Sequence, residues 1–338
     1  MVSTRSRLAT TIADASIVEP LQKKTRKSPV KGVLLPGKVP TLERKVTDLE
    51  NHLSHIEVPV DFELPANFVE KHTPAFIDGV KYILKVDSTL YRPIVCKDFP
   101  LFSKNPVIKL AYPDDPILGY WYSLVSLIIS QQVSGAAAKS IESKFRTLYD
   151  GDPTPSATLK LSFEQLRGAG LLNKKVEYVQ SLSEHFSNPE NELAKLSFYE
   201  ESLEEKIIEE MVKLKGIGPW SAKMFLVFTL GKINVFAHDD LGVARGAYRY
   251  LLRRSALLDR VKREVKLSED LLRQLQKKSK FAASKGKRDW TPHHDVYVQQ
   301  LGKFFEPYQT IVMLVLWRLS ATNTDVLEGT NESNKNQN

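Results

Sequence analysis

The sequence predicts a mainly α-helical protein with an ordered core between two polar ends. From about residue 116 onward, apolar side chains recur at the spacing that places them on one face of a helix. Short turns containing Gly or Pro separate these stripes, as expected for helices joined by tight connections. With 338 residues, 42% of them hydrophobic, the chain can bury a full core in one or two domains. Two of the stripes are Leu124, Leu127 and Ile128, and then Leu203, Ile207, Met211 and Leu214.

Composition excludes several classes of protein. Cys96 is the only cysteine, so neither an intrachain disulfide nor a cysteine-based zinc or iron–sulfur site can form. The longest apolar runs, near residues 124–129 and 311–316, stop far short of the roughly 18 residues that a membrane span needs. A membrane role is therefore not expected. The formal charge of +8 and the pI of about 9.2 favour a polyanionic partner such as nucleic acid.

Residues 1–60 are predicted to be a disordered basic tail. Up to about residue 45 this region is rich in Ser, Thr, Pro and basic residues, with few apolar side chains to offset the entropy of ordering. The cluster KKTRKSPVK at residues 23–31 is typical of a nuclear address or an auxiliary DNA contact, with a solvated charge run as the alternative. Arg5 and Arg7 leave a mitochondrial presequence open, although Asp14 and Glu19 are untypical of one. The nucleus is the expected location.

The rest of the chain divides into a main domain with additions. Residues 61–104 are predicted to be an N-terminal extension packed on the main domain at 105–322. Periodicity does not decide whether the segments at 80–84 and 93–96 are helical or extended. The basic insertion at 260–289 is predicted to be a long helix running into a flexible loop, with a solvated surface favoured over a dedicated DNA contact. Residues 323–338 are predicted to be a second disordered tail.

Residues 214–223, with the sequence LKGIGPWSAK, carry the most informative pattern in the chain. Gly216 and Gly218 flank Ile217, which lets the backbone turn tightly with positive φ and bring bare N–H groups up to an anion. Pro219 has the preset φ that begins a helix, and a helix N-terminus binds phosphate readily. The segment therefore predicts a phosphate-binding hairpin, and a buried turn between two helices is the alternative.

Several sequence blocks follow one another in an order that resembles the helix-hairpin-helix (HhH-GPD) superfamily of DNA glycosylases, and within it the alkylpurine, or 3-methyladenine, branch. The resemblance covers about residues 105–320. It implies a fold of two helical subdomains and a monofunctional DNA glycosylase of base excision repair. Such an enzyme flips out alkylated purines, such as 3-methyladenine and 7-methylguanine, and hydrolyses the N-glycosidic bond. The implied partner is double-stranded DNA containing alkylated bases, bound by a monomer without a cofactor. The blocks are ISQQVS at 129–134, LRGAGLLNKKVEY at 166–178, LKGIGPWSAK at 214–223, VFAHDDLGVAR at 235–245, Pro307-Tyr308 and Trp317-Arg318.

The resemblance implies that Asp240 is the catalytic carboxylate. It lies 22 residues after Gly218, close to the separation of about twenty found in such enzymes. Bond cleavage develops positive charge on the sugar, which a carboxylate stabilises, and the same group can orient or deprotonate the attacking water. Capping of the predicted helix at 241–252 is the alternative role for an aspartate here, and we expect it for Asp239. Since a helix N-terminus favours the ionised form, Asp240 is expected to stay charged at neutral pH.

Trp220 predicts which chemistry follows release of the base. In relatives that also nick the strand, a lysine two residues after the second hairpin glycine attacks the sugar and forms a Schiff base. An indole cannot do so, which predicts an enzyme without lyase activity. Lys223, one helical turn further on, is the alternative nucleophile.

The substrate pocket is expected to be aromatic, because a purine alkylated at N3 or N7 is positively charged and ring faces attract cations. Core packing is the alternative for any aromatic residue at helical spacing. The candidates are Trp220, Tyr308, Trp121 and Tyr122.

DNA contacts are expected from a loop and from the hairpin. The loop at residues 131–134 corresponds to one that enters the minor groove in similar enzymes, and a polar interruption between two helices is the alternative. The resemblance further implies a monovalent cation at the backbone of Leu214 and Gly216, and no catalytic metal. His293-His294-Asp295 is not expected to bind metal, because adjacent histidines on a helix diverge. The DNA-binding candidates are Gln131, Gln132, Val133, Ser134, Lys215, Gly216, Ile217, Gly218, Trp220, Ser221 and Lys223.

Two other classes of function stay open at this stage. A non-catalytic DNA-binding module can use the hairpin without Asp240, and a glycosylase of the same fold can act on oxidised or mismatched bases. Trp220 argues against strand-nicking enzymes for oxidised purines, and the missing cysteine cluster argues against iron–sulfur relatives.

Overall fold

The computed structural model describes residues 53–105, 110–252, 254–282 and 290–320. The prediction of a mainly α-helical fold is confirmed, since the described residues contain helices and turns and no named strand. None of the helices in the described ranges is both long and apolar enough to cross a bilayer. The helices are α1 (Ala66–Lys71), α2 (Pro74–Val86), α3 (Tyr91–Val95), α4 (Pro116–Ser130), α5 (Gly135–Arg146), α6 (Pro155–Thr158), α7 (Phe163–Gly168), α8 (Asn173–Ser187), α9 (Leu196–Glu201), α10 (Glu204–Met211), α11 (Pro219–Phe228), α12 (Leu241–Leu251), α13 (Ser255–Leu267), α14 (Glu269–Leu275), α15 (Asp295–Lys303) and α16 (Gln309–Ser320).

Helices α4 to α11 form one group, organised around α4 and α8. Helix α8 packs on α4 and α6, α5 packs on α4, and α11 packs on both α10 and α4. Side chains at helical spacing on α4, including Leu124 and Ile128, are fully buried in this group, as the apolar stripe predicts.

A second group contains α12 to α16, and its main contact is between α12 and α16. Gly246 permits that contact, because a Cβ atom there would lie only 1.9 Å from the backbone oxygen of Leu316. Helix α13 packs on α14 and α15, and α16 also packs on α2 and α3 of the extension. Because α12 begins directly after Asp240, this packing fixes the position of that residue.

The N-terminal extension is helical and is joined to α16 by the half-buried Arg318. The segments left open by periodicity, 80–84 and 93–96, lie in α2 and in α3 with its C-terminal cap. Arg318 donates hydrogen bonds to the carbonyl oxygens of Pro93, Ile94 and Asp98 at 3.1, 2.9 and 2.6 Å. Its guanidinium also lies 3.5 Å from the ring centroid of Phe99.

The ordered extension begins earlier than the sequence predicts. Leu53 is only 8% exposed and packs with Ile56, Cys96 and Leu319, and Arg92 donates a hydrogen bond to the carbonyl oxygen of Ile56 at 2.9 Å. Leu53 and Ile56 therefore pack on the extension although they fall within the predicted tail, whereas residues 57–60 are exposed. The rest of the predicted N-terminal tail, and the C-terminal tail at 323–338, lie outside the described residues.

The basic insertion starts with two helices instead of one long helix. Ser268 ends α13 and begins α14, because its hydroxyl accepts a hydrogen bond from the backbone N–H of Leu271 at 3.4 Å and so caps the second helix. The predicted loop falls partly at residues 283–289, which lie outside the described ranges.

Candidate active site

The hairpin joins α10 to α11 and uses its two glycines differently. Gly216 adopts φ of +84° and lies against Tyr178, so that a Cβ atom would come within 2.2 Å of the Tyr178 ring. Gly218 is extended, with φ of −99°, and is the N-cap of α11, so positive φ was predicted wrongly for it. Pro219 occupies the first turn of α11, as predicted. The hairpin leaves the Lys215 side chain exposed, whereas Ile217 and Ser221 are buried and can contribute only backbone groups to a ligand outside.

Asp240 lies beside this hairpin and is held by two indole groups. Its Oδ2 accepts a hydrogen bond from Nε1 of Trp220 at 3.0 Å. Its Oδ1 accepts bonds from Nε1 of Trp317 at 2.8 Å and from the backbone N–H of Val243 at 2.9 Å. The side chain is fully buried in the unbound chain. The two carboxylate oxygens are therefore fixed by donors from α11, α12 and α16.

Burial sets the ionisation of Asp240 against its hydrogen bonds. Desolvation raises the pKa of this carboxyl above its ordinary value, while the bonds from Trp317, Val243 and Trp220 act to lower the pKa. The sequence led us to expect that the helix N-terminus would dominate and favour the charged form. Burial outweighs the donors, so the net shift of the Asp240 pKa is upward, opposite to the shift that the helix N-terminus alone would cause.

The two adjacent aspartates have roles different from those expected. Asp240, and not Asp239, is the N-cap of α12. Asp239 instead faces two lysines, with its carboxylate oxygens 3.8 Å from Nζ of Lys223 and 3.4 Å from Nζ of Lys280. Burial acts to raise the pKa of Asp239, but Lys223, His238 and Lys280 outweigh it and lower that pKa.

Lys223 is turned towards Asp239 along one face of α11. Trp220 and Lys223 are one turn apart, and they contact Asp240 and Asp239 respectively. The Lys223 side chain is 14% exposed, and burial lowers its pKa despite the ion pair.

The aromatic candidates separate into two sets. Trp121 is fully buried on α4 and donates from Nε1 to the Ser183 hydroxyl of α8 at 3.1 Å, which makes it a core residue. Tyr122 is 5% exposed and donates from its hydroxyl to Glu142 at 2.9 Å, which joins α4 to α5. These two placements argue for packing, the alternative that the sequence left open.

Tyr308 also packs away from the carboxylate in the described contacts. Its ring centroid lies 5.3 Å from that of Tyr82, and its ring is in close contact with Gly79 of α2. The aromatic residues that contact Asp240 are instead Trp220 and Trp317, and Phe228 lies against Trp317. The rings of Phe228 and Trp317 are nearly parallel, at an interplanar angle of 6° and a centroid distance of 6.0 Å.

Sequence reasoning missed the roles of Trp317 and Phe228. Trp317 was quoted within a sequence block, but no role was assigned to it, because it lies 77 residues from Asp240 and only the packing of α16 on α12 brings the two together. No local pattern marks Phe228 as different from other apolar residues of α11.

The loop at 131–134 is tied to the hairpin. Nε2 of Gln131 donates a hydrogen bond to the carbonyl oxygen of Gly216 at 2.9 Å. Gln132 has an exposed side chain and φ of +58°, so it forms the outer corner of the turn. Val133 is half-buried, and Ser134 caps α5 by accepting a hydrogen bond from the backbone N–H of Ala137 at 3.3 Å.

The two carbonyl groups proposed to hold a cation already accept hydrogen bonds. Leu214 accepts one from the backbone N–H of Ile217 at 3.1 Å, and Gly216 accepts the bond from Gln131. His294 is not arranged as a metal ligand: Nδ1 accepts from the backbone N–H of Val296, which makes it the N-cap of α15, and Nε2 faces the Lys277 carbonyl. Within the described ranges, no group of three or more His, Cys, Asp or Glu side chains is placed to hold a metal ion.

Comparison with known proteins places this geometry in a family. The sequence profile of the HhH-GPD superfamily base excision DNA repair protein matches residues 125–303. The chain is 33% identical over 279 residues to DNA-3-methyladenine glycosylase of Saccharomyces cerevisiae, covering 80% of this chain and 88% of the yeast protein. It is 33% identical over 135 residues to DNA-3-methyladenine glycosylase 1 of Schizosaccharomyces pombe, covering 38% and 57% of the two chains.

The fold agrees with a solved structure. DNA-3-methyladenine glycosidase of Bacillus halodurans superposes with a TM-score of 0.50 at 26% identity, covering 74% of this chain and 90% of the bacterial one. The hairpin, the carboxylate 22 residues after Gly218 and the helical architecture all lie within this match or within the matched profile. The chain therefore belongs to the HhH-GPD superfamily of base excision DNA repair proteins.

Proposed function

We propose that this protein is a DNA glycosylase of base excision repair that extrudes alkylated purines, such as 3-methyladenine and 7-methylguanine, from duplex DNA and hydrolyses their N-glycosidic bond. The observation that carries the proposal is the carboxylate of Asp240, which two indole groups hold beside the glycine hairpin at the start of α11. Relatives named as DNA-3-methyladenine glycosylases support the same lesion class.

Asp240 supplies negative charge at the bond that breaks. As the N-glycosidic bond breaks, its electrons neutralise the alkylated base, and positive charge develops on the sugar. A carboxylate that is already oriented stabilises that charge without reorganising during the reaction. Trp220, Trp317 and the backbone N–H of Val243 provide this orientation. Asp240 can also orient or deprotonate the water that adds to the sugar.

The aromatic residues beside the carboxylate suit a cationic base. Phe228 and Trp317 are both partly exposed, and their rings are nearly parallel. An electron-rich ring face attracts a cation by about 0.5–2 kcal/mol, so an alkylated purine gains more from this wall than a neutral purine does. Asp240 is fully buried, so the side chains that cover it must move when the nucleotide enters the site.

The hairpin and the loop at 131–134 would contact DNA on the two sides of the lesion. The amide groups at the start of α11 are suited to a phosphate, a contact that positions the protein without reading sequence. Gln132 is our choice for the side chain that fills the space left by the extruded nucleotide, since it is exposed at the corner of the loop.

We also propose that the enzyme releases the base without cleaving the strand. Trp220 has no amine, and Nζ of Lys223 faces Asp239. Borohydride reduction of the wild-type protein on abasic DNA should give no covalent adduct. An adduct that disappears in Lys223→Met would overturn this part of the proposal.

The first test of the function is Asp240→Asn. Asparagine keeps the N-cap of α12 but lacks the negative charge, so we expect a folded protein that binds duplex containing an abasic-site analogue and releases methylated purines at least about a hundredfold more slowly. The measurement is single-turnover release of 3-methyladenine and 7-methylguanine from methylated duplex DNA.

A matched control for that test is Asp115→Asn. Asp115 is the N-cap of α4 and accepts a hydrogen bond from the backbone N–H of Leu118 at 3.0 Å. This variant should release bases like the wild type. Tight binding to the abasic analogue without base release by the wild type would favour the non-catalytic module, and release from oxidised or mismatched duplex alone would favour the other lesion class.

We further propose that the protein acts as a monomer in the nucleus. The basic cluster at residues 23–31, which lies outside the described residues, supports the location. Imaging of a tagged chain with and without this cluster tests the location, and light scattering tests the monomer.

A further inference from the structure

Lys175 is a buried lysine that holds the end of α4. It lies on α8, is 8% exposed, and donates from Nζ to the carbonyl oxygens of Ile129 and Gln131, each at 2.7 Å. The last carbonyl groups of a helix have no partner within the helix, and a positive charge there complements the helix dipole. Lys175 therefore acts as a C-terminal cap of α4, because it supplies hydrogen-bond donors to the last carbonyl groups of the helix.

Gln131 extends this contact to the hairpin. Its backbone oxygen accepts from Lys175, while its side-chain Nε2 donates to the carbonyl oxygen of Gly216 at 2.9 Å. A continuous set of hydrogen bonds thus joins α8, the loop at 131–134 and the hairpin. The next residue, Gln132, has the positive φ that residues other than glycine rarely adopt, so the surrounding contacts must hold it there.

Burial of the Lys175 ammonium group costs desolvation free energy. Burial lowers the pKa of Lys175, which reflects the unfavourable environment of the ammonium group. An apolar side chain of similar length would fill the same space without desolvating a charge. The benefit of the lysine is the geometry that its two hydrogen bonds impose on the loop.

We propose that Lys175 is a positioning residue for nucleotide extrusion, which together with Gln131 locks the loop at 131–134 to the phosphate-binding hairpin as one preformed unit. This inference rests on the proposed function, because it assigns the loop the task of holding the duplex open. Without the lock, the loop has to be ordered when DNA binds, and that cost is taken from the energy available for extrusion.

The lock predicts a selective defect in Lys175→Met. A base that is paired must be extruded against stacking and pairing, whereas a base that faces a gap costs less to extrude. The loss should therefore be large for a paired lesion and small for an unpaired one. The substrates are duplexes with one 7-methylguanine placed either opposite cytosine or opposite a tetrahydrofuran residue.

The expected result is at least about a tenfold greater loss of single-turnover rate on the paired substrate than on the unpaired one, the size expected for one of the two hydrogen bonds that Lys175→Met removes. Lys175→Arg keeps a charged donor and should recover most of the paired rate. Lys174→Met removes the same charge from the neighbouring exposed position and should behave like the wild type.

Equal losses on the two substrates would overturn the proposal, since general damage to the fold lowers both rates together. If Lys175→Met does not fold, Gln131→Ala carries the same test, because it removes the half-buried side chain that bonds to Gly216. It too must show the greater loss on the paired substrate. The double variant Lys175→Met/Gln131→Ala should lose little more rate on the paired substrate than the more impaired of the two single variants. Both changes release the same loop, so their effects are not additive.

Failure of the proposed function gives a different result. Wild-type protein that releases no base from either substrate contradicts the glycosylase assignment. The lock is then measured by binding to a duplex with a tetrahydrofuran residue, where Lys175→Met must weaken affinity more than Lys174→Met does. The same affinity for both variants would exclude the lock independently of base release.

Discussion

The charge of the Asp240 carboxylate depends on two opposing effects, desolvation and hydrogen bonding. Burial raises its pKa, and donors from three helices lower it again. Trp317 is one of the larger opposing contributions, through the 2.8 Å bond to Oδ1. The ionisation of Asp240 therefore depends on the side chains of Trp220 and Trp317, which donate to its two oxygens.

Trp317→Phe should move the acid limb of the pH–rate profile to higher pH. In the proposed mechanism the ionised carboxylate is the active form, so the rate rises as pH increases through the pKa of Asp240, and loss of one donor raises that pKa further. We expect a shift of about one to two pH units, since a hydrogen bond to a charged group contributes about 1.5–3 kcal/mol and one unit of pKa corresponds to about 1.36 kcal/mol. The measurement is kcat/KM for base release from pH 4 upward.

Trp121→Phe is the control for the loss of an indole N–H group, because its Nε1 bonds to Ser183 and not to Asp240. Its acid limb should coincide with that of the wild type. A Trp317→Phe profile that differs only in height would mean that Trp317 contacts substrate without tuning the carboxylate.

At this scale, the sequence located Asp240 through its separation from the hairpin but gave no means of assigning the cap. Both Asp239 and Asp240 are suitable N-cap residues, and the choice depends on where α12 starts relative to Lys223 and Lys280. Trp317 could not be assigned a partner from local pattern, since its contact depends on packing between distant helices.

The pairing of α12 with α16 is the element-level feature on which the site depends. Gly246 lies in the middle of α12 against the backbone of Leu316, one residue before Trp317. Any side chain at this position must push the helices apart. Such a movement would separate Trp317 on α16 from Asp240 at the start of α12 and so weaken their hydrogen bond.

Gly246→Ala should destabilise the protein despite the better helix propensity of alanine. The added Cβ would meet the Leu316 oxygen at 1.9 Å, and overpacking of this kind costs about 1–3 kcal/mol. Urea unfolding measures the change. Gly168→Ala is the matched control, since no atom lies within 4 Å of a Cβ at the exposed end of α7, and it should be neutral or slightly stabilising.

Equal stability of Gly246→Ala and the wild type would mean that α12 and α16 can separate freely. Helices of this kind were predictable where apolar residues repeat over several turns, as in α4. They were not predictable where a single side chain decides, as at Ser268, whose hydroxyl divides the basic insertion into two helices.

Across the whole molecule, the two helical groups meet at the hairpin, Asp240 and the aromatic residues beside them. The family and its fold class could be predicted because the sequence blocks occur in a fixed order along the chain. The limits of the packed structure could not, because composition alone did not show that Leu53 packs on the extension. The aromatic contacts of Asp240 were also difficult to predict, since Trp121 and Trp317 look alike in sequence and differ only in what surrounds them.

Arg318 joins α16 to the N-terminal extension, and both lie outside the residues that the family profile covers. Its guanidinium is buried by the extension, and burial lowers its pKa to about 10 while three carbonyl groups of residues 93–98 accept its hydrogen bonds. A recombinant fragment cut at residue 105 would leave this charge on α16 without those acceptors, next to Trp317, which holds Asp240. We therefore expect the smallest active fragment to include the extension, and truncations within residues 53–104 to lower activity without removing a residue that contacts Asp240.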